Sequence, residues 1–249
     1  MFHATLDSSK TWKQIVDALA TLLTEVNFVV NKNGITLTQL DSSKVAMIDL
    51  TLPAGVFQEF NCDEEMQLCL GVDELTKISR RMAADDRLEF DVGDDKRFEI
   101  KMIGQAERVF RLQMLTPPDN QAKRPDLKFM AKLEMNSDAL KQAVKDIGVI
   151  SNHIKVTADK KSVIFAGEGD TGEAEVQLTT GEDSVIYDLD SKEKSTAMYA
   201  LNYLSEIVKA VAADTVIIQF SDDKPMRLDF GIAEAGSISF VLAPRIERR

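Results

Sequence analysis

The chain has 249 residues, of which 44% are hydrophobic and 29% are charged, and its formal net charge is −11. This composition is typical of a folded globular protein, and no run of residues approaches the roughly 18 apolar positions that cross a membrane. The first six residues lead into polar sequence rather than an apolar stretch, so no secretory signal is evident and we expect an intracellular protein. The acidic average argues against nucleic acid as a partner, but it conceals how the charge is distributed.

The sequence repeats itself at an offset of about 128 residues. The Asp-Asp-Lys run at 94–96 recurs at 222–224, and Leu75 recurs as Leu204. Because the same offset aligns predicted helices, turns and strands of the two halves, the pattern predicts a duplicated domain.

The repeat predicts two domains joined by a connector. We place the domains at residues 1–116 and 127–249, and the connector at 117–126, where three prolines and no periodicity indicate a linker. Each domain is long enough to bury its own core.

In chain order, each half begins with an alternating strand, continues with an amphipathic helix and several strands, and ends with a second helix and more strands. The predicted helices cover about residues 9–22, 73–84, 138–148 and 199–212. The predicted strands of the first half include 34–40, 45–50, 87–92, 97–103 and 108–115. Each helix has one apolar face and the strands alternate, so the sequence predicts an α+β fold with helices on one face of antiparallel sheets.

The predicted helices are richer in positive charge than the rest of the chain. Their basic residues are Lys10, Lys13, Lys77, Arg80, Arg81, Lys141, Lys145 and Lys209. Their acidic residues are Asp17, Asp73, Glu74, Asp138, Asp146 and Glu206, and three of these lie in first turns, where a carboxylate stabilises the helix end. A positive surface on a negative body attracts phosphate backbones at one place. No base-reading motif accompanies it, so any contact with DNA should be independent of sequence.

The sequence offers no catalytic or metal-binding motif. Cys62 and Cys69 lie seven residues apart, which is not the spacing of a zinc pair, and the only histidines are His3 and His153. We therefore expect no enzyme activity, no metal, no cofactor and two free thiols. Two alternatives of other classes stay open: an enzyme with a duplicated α+β fold, and an acidic scaffold that never touches DNA.

Two segments carry a specific resemblance to a known family. Residues 40–47 (Leu-Asp-Ser-Ser-Lys-Val-Ala-Met) resemble the signature turn of proliferating cell nuclear antigen (PCNA), the sliding clamp of replication in archaea and eukaryotes, and residues 242–247 (Leu-Ala-Pro-Arg-Ile-Glu) resemble its carboxy-terminal motif. The similarity runs through the whole chain without large gaps. The overall length and the brief tail are closer to the archaeal members.

The resemblance implies a closed trimeric ring of two-domain subunits around double-stranded DNA, with the helices lining the hole. A clamp of this kind is no enzyme but a processivity factor for DNA replication and repair. The implied partners are DNA polymerase, the clamp loader, ligase and nuclease, which bind through short PIP-box peptides. A close alternative is one subunit of a heterotrimeric or checkpoint-type clamp.

The resemblance also implies three sets of site residues. By position, the DNA-facing residues are Lys13, Lys77, Arg80, Lys145 and Lys209, and helical geometry adds Arg81 and Lys141. The partner-peptide pocket is expected at Leu40, Lys44, Val45, Met47, Pro225, Ala243, Pro244, Arg245 and Ile246. The subunit interface is expected at Arg108, Val109, Arg111, Met114, Glu173, Glu175 and Leu178, with the two arginines facing the two glutamates. The connector departs from the family pattern, since Ala122, Lys123 and Arg124 stand where large apolar residues usually help to hold the peptide.

Overall fold

The structure is a computed structural model that describes residues 1–118 and 122–246. The first half contains β1 (Phe2–Leu6), α1 (Ser9–Ala20), β2 (Glu25–Asn31), β3 (Gly34–Leu40), β4 (Ala46–Pro53), a 3-10 turn (Ala54–Val56), β5 (Glu59–Cys62), β6 (Met66–Gly71), α2 (Val72–Ser79), β7 (Arg87–Val92), β8 (Arg97–Ile103) and β9 (Glu107–Gln113). The second half contains β10 (Ala131–Asn136), α3 (Ser137–Ile147), β11 (His153–Ala158), β12 (Ser162–Gly169), β13 (Gly172–Thr179), β14 (Ile186–Ser191), β15 (Ser195–Ala200), α4 (Leu201–Ala210), β16 (Thr215–Phe220), β17 (Met226–Ile232) and β18 (Gly236–Leu242). The order of helices and strands is the same in both halves, which confirms the duplication and the α+β class.

The chain forms two compact units that exchange short segments. Unit 1 comprises Met1–Lys44, Ile48–Arg124 and Gly231–Ile238. Unit 2 comprises Val45–Met47, Pro125–Phe230 and the chain from Ser239 onward. The predicted boundaries at 1–116, 117–126 and 127–249 are contiguous and stay a prediction, and residues 119–121 and 247–249 lie outside the described residues.

In unit 1, a five-stranded antiparallel sheet has the order β5-β1-β7-β8-β9, and a second run of strands has the order β4-β3-β2-β6. Helix α1 covers the sheets with its apolar stripe, where Trp12 packs on Phe90 at a ring-centroid distance of 4.7 Å and on Phe28 at 6.0 Å. Phe90 in turn stacks on Phe98 at 5.9 Å. These rings form the centre of the unit 1 core.

In unit 2, the four-stranded sheet has the order β13-β12-β11-β15, and the other run has the order β14-β10-β16-β17-β18. Helix α3 packs against β10, β11, β12 and β13 and presents Leu140, Val144 and Ile147 to the core. Helix α4 packs against β11 and β15 and presents Leu204 and Ile207. Both helices thus leave one face to solvent, as the predicted arrangement requires.

Three helices are shorter than their patterns predict, and the first of them, α1, ends at Ala20 rather than near residue 22. Helix α2 ends at Ser79 rather than near residue 84, because tight turns follow in which Arg81 N bonds Ile78 O and Met82 N bonds Ser79 O. Helix α4 begins at Leu201 rather than at residue 199, since Tyr199 belongs to β15. Among the described helices, none is long and apolar enough to cross a membrane.

Candidate DNA-facing, subunit and partner-binding surfaces

The basic residues of unit 1 lie on α1 and around the end of α2. Lys13 is half-buried in α1, and its Nζ donates to the carbonyl oxygen of Met82 at 3.2 Å. Lys77 occupies the last turn of α2, Arg80 caps that helix and Arg81 follows it, and all three are exposed. The contact with Met82 brings Lys13 beside the turn that carries Arg81. Arg80 and Arg81 therefore lie at and beyond the helix end rather than inside the helix.

The basic residues of unit 2 lie on α3 and α4. Lys141 is half-buried in α3, and Lys145 is exposed in its last turn. Lys209, in the last turn of α4, bonds Glu206 at 3.0 Å. A cation in the last turn also stabilises the negative end of a helix, so Lys145 and Lys209 contribute to their helices as well as to surface charge.

An ion pair between the buried Asp86 and the half-buried Arg108 ties the turn after α2 to β9. Asp86 is only 2% exposed and accepts a bond from Ala83 N at 2.7 Å and another from the guanidinium of Arg108. The same guanidinium donates to Arg81 O at 2.7 Å. Gly104 is needed here, because a Cβ on it would lie 2.2 Å from Asp86 Oδ1. Sequence reasoning missed this cluster.

The predicted subunit-interface residues fall on two strands that end their sheets. Strand β9 is the last strand of the five-stranded sheet, and β13 is the last strand of the four-stranded sheet. On β13, Glu173 and Glu175 are exposed and Leu178 is half-buried. On or next to β9, Val109 and Met114 are half-buried.

The two arginines of β9 already have partners in their own unit. Arg108 bonds Asp86, and the Nε of Arg111 bonds Glu99 at 2.7 Å. Arg111 is the more exposed of the two side chains, with 51% of its surface accessible against 35% for Arg108. Of the two predicted contacts with glutamates of another subunit, the one from Arg111 is therefore the more accessible.

In unit 1, the predicted pocket residues lie at the end of β3 and in the turn that follows. Leu40 is 40% exposed. Lys44 closes the turn through a bond from its N to Asp41 O at 3.0 Å and has a positive φ of 57°.

In unit 2, the predicted pocket residues gather where the carboxy-terminal segment meets other backbone. Ala243 N donates to Val45 O at 2.8 Å, and Arg245 N donates to Met198 O at 2.7 Å. Pro225 and Pro244 are half-buried and Ile246 is exposed, whereas Met47 is buried in β4. Beyond Ile246, the predicted motif residue Glu247 lies outside the described residues.

Burial shifts the pKa of a tyrosine and of both cysteines. Burial raises the pKa of the Tyr199 phenol far above its usual range, and the phenol donates to Lys224 O at 2.8 Å. Burial also raises the pKa of the Cys62 and Cys69 thiols, which are both free. Within residues 1–118 and 122–246, no group of three or more His, Cys, Asp or Glu is placed to hold a metal ion.

Two tandem α+β repeats, each with paired helices over antiparallel sheets, define the class of two-domain clamp proteins. Comparison with known proteins identifies the family. The family model for the PCNA amino-terminal domain matches residues 1–114, and the model for the PCNA carboxy-terminal domain matches residues 123–245. The chain therefore belongs to the proliferating cell nuclear antigen family.

Full-length relatives and solved structures agree with this assignment. The chain is 34% identical over 247 residues to the DNA polymerase sliding clamps of Pyrococcus horikoshii and Pyrococcus furiosus, with 99% of each chain covered. It is similar to the crystal structure of PCNA from Thermococcus kodakaraensis, with a TM-score of 0.94 and 28% identity over 98% of this chain and 100% of that one. PCNA from Entamoeba histolytica has the same fold, with a TM-score of 0.91 and 24% identity over 98% and 99% of the two chains.

Proposed function

We propose that the chain is a DNA polymerase sliding clamp, a non-catalytic subunit of a ring that encircles duplex DNA and tethers polymerase to it. Processivity then comes from topology and effective concentration, because a tethered polymerase rebinds before it diffuses away. Membership of the PCNA family and the 34% identity to archaeal DNA polymerase sliding clamps carry this proposal.

The distribution of charge supports contact with DNA. The chain has a net charge of −11, yet eight basic residues lie on the four helices or at their ends, one of them Lys10. We assign the other seven as the DNA-facing residues: Lys13, Lys77, Arg80, Arg81, Lys141, Lys145 and Lys209. Such a surface holds the phosphate backbone without reading bases, and the surrounding acidic surface repels it.

The repeat supports a closed homotrimer. Strands β9 and β18 occupy the same place in their repeats, as do β13 and β4. Residues Ile48–Pro53 of β4 and Gly236–Ile238 of β18 belong to one unit, in which these strands are hydrogen-bonded neighbours. Pairing β9 with β13 of a second copy would reproduce the same arrangement between chains. Repeated head-to-tail contacts of this kind form a ring when the rotation closes.

We assign the binding of short partner peptides to the segments around Leu40, Lys44, Val45, Pro225 and residues 243–246. We include polymerase, clamp loader, ligase and nuclease among these partners. Exposed Leu40 and Ile246 offer apolar surface for a peptide. Met47 is buried, so its contribution is to shape β4.

A loading assay tests encirclement. Protein loaded by its clamp loader on closed circular DNA should be retained and should slide off when the circle is linearised. The matched variant Lys77→Gln with Arg80→Gln should load with a shorter lifetime on circles. Equal retention of the wild-type protein on circles and on linear DNA with free ends would refute the proposal.

Light scattering tests the assembly. A homotrimer should have a mass about three times the 27.7 kDa of the chain. Glu173→Arg with Glu175→Arg should dissolve it, whereas Glu193→Arg with Glu234→Arg, the same charge change on exposed turns, should not. A wild-type monomer would instead favour the heterotrimeric or checkpoint-type alternative.

A further inference from the structure

An arginine of the connector binds a buried carboxylate in β4. Asp49 is 7% exposed and lies between the buried Ile48 and Leu50. Nη2 of Arg124 lies 2.7 Å from Oδ1 of Asp49, and Nε of Arg124 contacts Oδ2. Since two nitrogens of one guanidinium bind two oxygens of one carboxylate, the pair fixes the direction of the arginine as well as its distance.

Neighbouring hydroxyl groups complete the site. Nη2 of Arg124 also donates to Thr51 Oγ1 at 3.2 Å, and Thr38 Oγ1 donates to Asp49 Oδ1 at 3.1 Å. Thr38 belongs to β3, and Asp49 and Thr51 belong to β4. The guanidinium is therefore held against β4, and Thr38 of the adjacent strand β3 holds the carboxylate that binds it.

The connector around Arg124 has no regular structure of its own. Residues 122–129 form neither helix nor strand, and Lys123, Arg124 and Pro125 are exposed. A segment of this kind is free to take many conformations unless a side chain fixes it. The contact between Arg124 and Asp49 provides that anchor.

We propose that Arg124 is a positioning residue of the partner-binding surface: by anchoring the connector to Asp49, it holds the segment in the conformation that receives a partner peptide. This inference rests on the proposed function. If residues 122–126 are already held in place, they lose less conformational entropy when a peptide binds, so the peptide binds more tightly. The anchor takes the place of the large apolar residues that the family pattern has at 122–124.

Limited proteolysis and peptide binding test the anchor together. In Arg124→Gln, trypsin should cleave after the exposed Lys123 on the order of ten times faster, because cleavage requires the segment to open. A fluorescein-labelled PIP-box peptide should bind about five- to tenfold more weakly, because binding must now order the connector. Lys128→Gln removes the same charge four residues away and should behave as wild type in both assays.

A second variant separates positioning from folding. Arg124→Gln leaves a buried unpaired carboxylate and lowers stability, whereas Arg124→Gln with Asp49→Asn removes both charges and should restore thermal stability. Peptide affinity should stay low in the double variant, because the bidentate anchor is still missing. Arg124→Lys keeps the charge without the bidentate geometry and should recover the affinity only in part.

The outcomes distinguish failure of this inference from failure of the clamp assignment. Unchanged cleavage after Lys123, unchanged or tighter peptide binding in Arg124→Gln, or wild-type affinity in the double variant would each overturn it. Failure of the wild-type protein to bind the PIP-box peptide would overturn it as well. Retention on circular DNA is measured on the same samples, and its absence in the wild type would instead refute the proposed function.

Discussion

Replacing Arg108 by glutamine should destabilise unit 1 far more than its place on an edge strand suggests. Arg108 is the charged partner of Asp86, which is 2% exposed. The substitution leaves the carboxylate buried without its cation, although the 2.7 Å bond from Ala83 N is retained. It also removes the bond that holds Arg81 O.

The magnitude follows from the burial of the two partners. Breaking a fully buried ion pair by removing one partner costs about 3–5 kcal/mol. The Arg108 side chain is 35% exposed, so water partly replaces it, and the bond from Ala83 N still stabilises the carboxylate. We therefore expect a loss of about 2–3 kcal/mol in the free energy of unfolding. For a chain of this size, this loss lowers the Tm by about 5–10 °C.

The assay compares two substitutions in one strand by urea denaturation and calorimetry. Arg111→Gln is the matched control, because the Arg111–Glu99 pair is 51% and 27% exposed. Such a surface pair contributes about 0–1 kcal/mol. Both residues lie on the proposed subunit interface, so each variant is measured over a hundredfold range of protein concentration to separate unfolding from dissociation. Equal losses in Arg108→Gln and Arg111→Gln would show that burial of Asp86 does not determine the cost.

Three further outcomes follow from the same structure. Trp12→Ala should lower the free energy of unfolding by about 3–5 kcal/mol, because it empties the space between Phe28 and Phe90; circular dichroism is the measurement, since Trp12 is the only tryptophan. In Lys77→Gln with Arg80→Gln, the slope of log affinity for DNA against log salt should fall by about 0.9 for each phosphate that the protein no longer neutralises, and an unchanged slope would argue against a role for these residues in binding phosphate. The pKa of Tyr199 is raised above its ordinary value of 10.0 by burial and then by Asp223, so its contribution to stability is complete below pH 10 and is lost as the pH rises beyond it. In an absorbance titration at 295 nm, one of the three tyrosines should therefore ionise only as the protein unfolds.

The sequence patterns were sufficient to predict the duplication and most helices and strands. They misplaced the end of a helix where a buried residue lies beyond it. The strands predicted at 87–92 and 97–103 are observed as β7 and β8 with those bounds. The pattern predicts a helix as far as residue 84, because the buried Met82 continues the apolar stripe, but the helix ends at Ser79 and Met82 lies in the turn that follows. Apolar periodicity reports which side chains are buried, and it does not report where the helical backbone stops.

The two ion pairs with buried carboxylates were out of reach of sequence reasoning for a different reason. Arg108 lies 22 residues from Asp86, and Arg124 lies 75 residues from Asp49. Neither separation matches a helical or strand spacing, so only the folded chain brings these side chains together. The interface role predicted for Arg108 rested on position in the family pattern, and the same pattern gave Arg124 no role, whereas the contacts of both residues are set by buried carboxylates elsewhere in unit 1.

The edge strands β9 and β13 differ in charge from β18 and β4, their counterparts in the other repeat. This difference favours one pairing between chains over others. Strand β4 is mostly buried and β18 has no charged residue, whereas β9 and β13 have exposed charged side chains. Unpaired strand edges invite indiscriminate association, and charges suppress it. The charged residues of β13 are Glu173 and Glu175, so two copies of β13 would repel each other, whereas in the proposed ring Arg111 of β9 would attract them. Edge charges that keep free chains from random pairing therefore favour the head-to-tail contact that a ring requires.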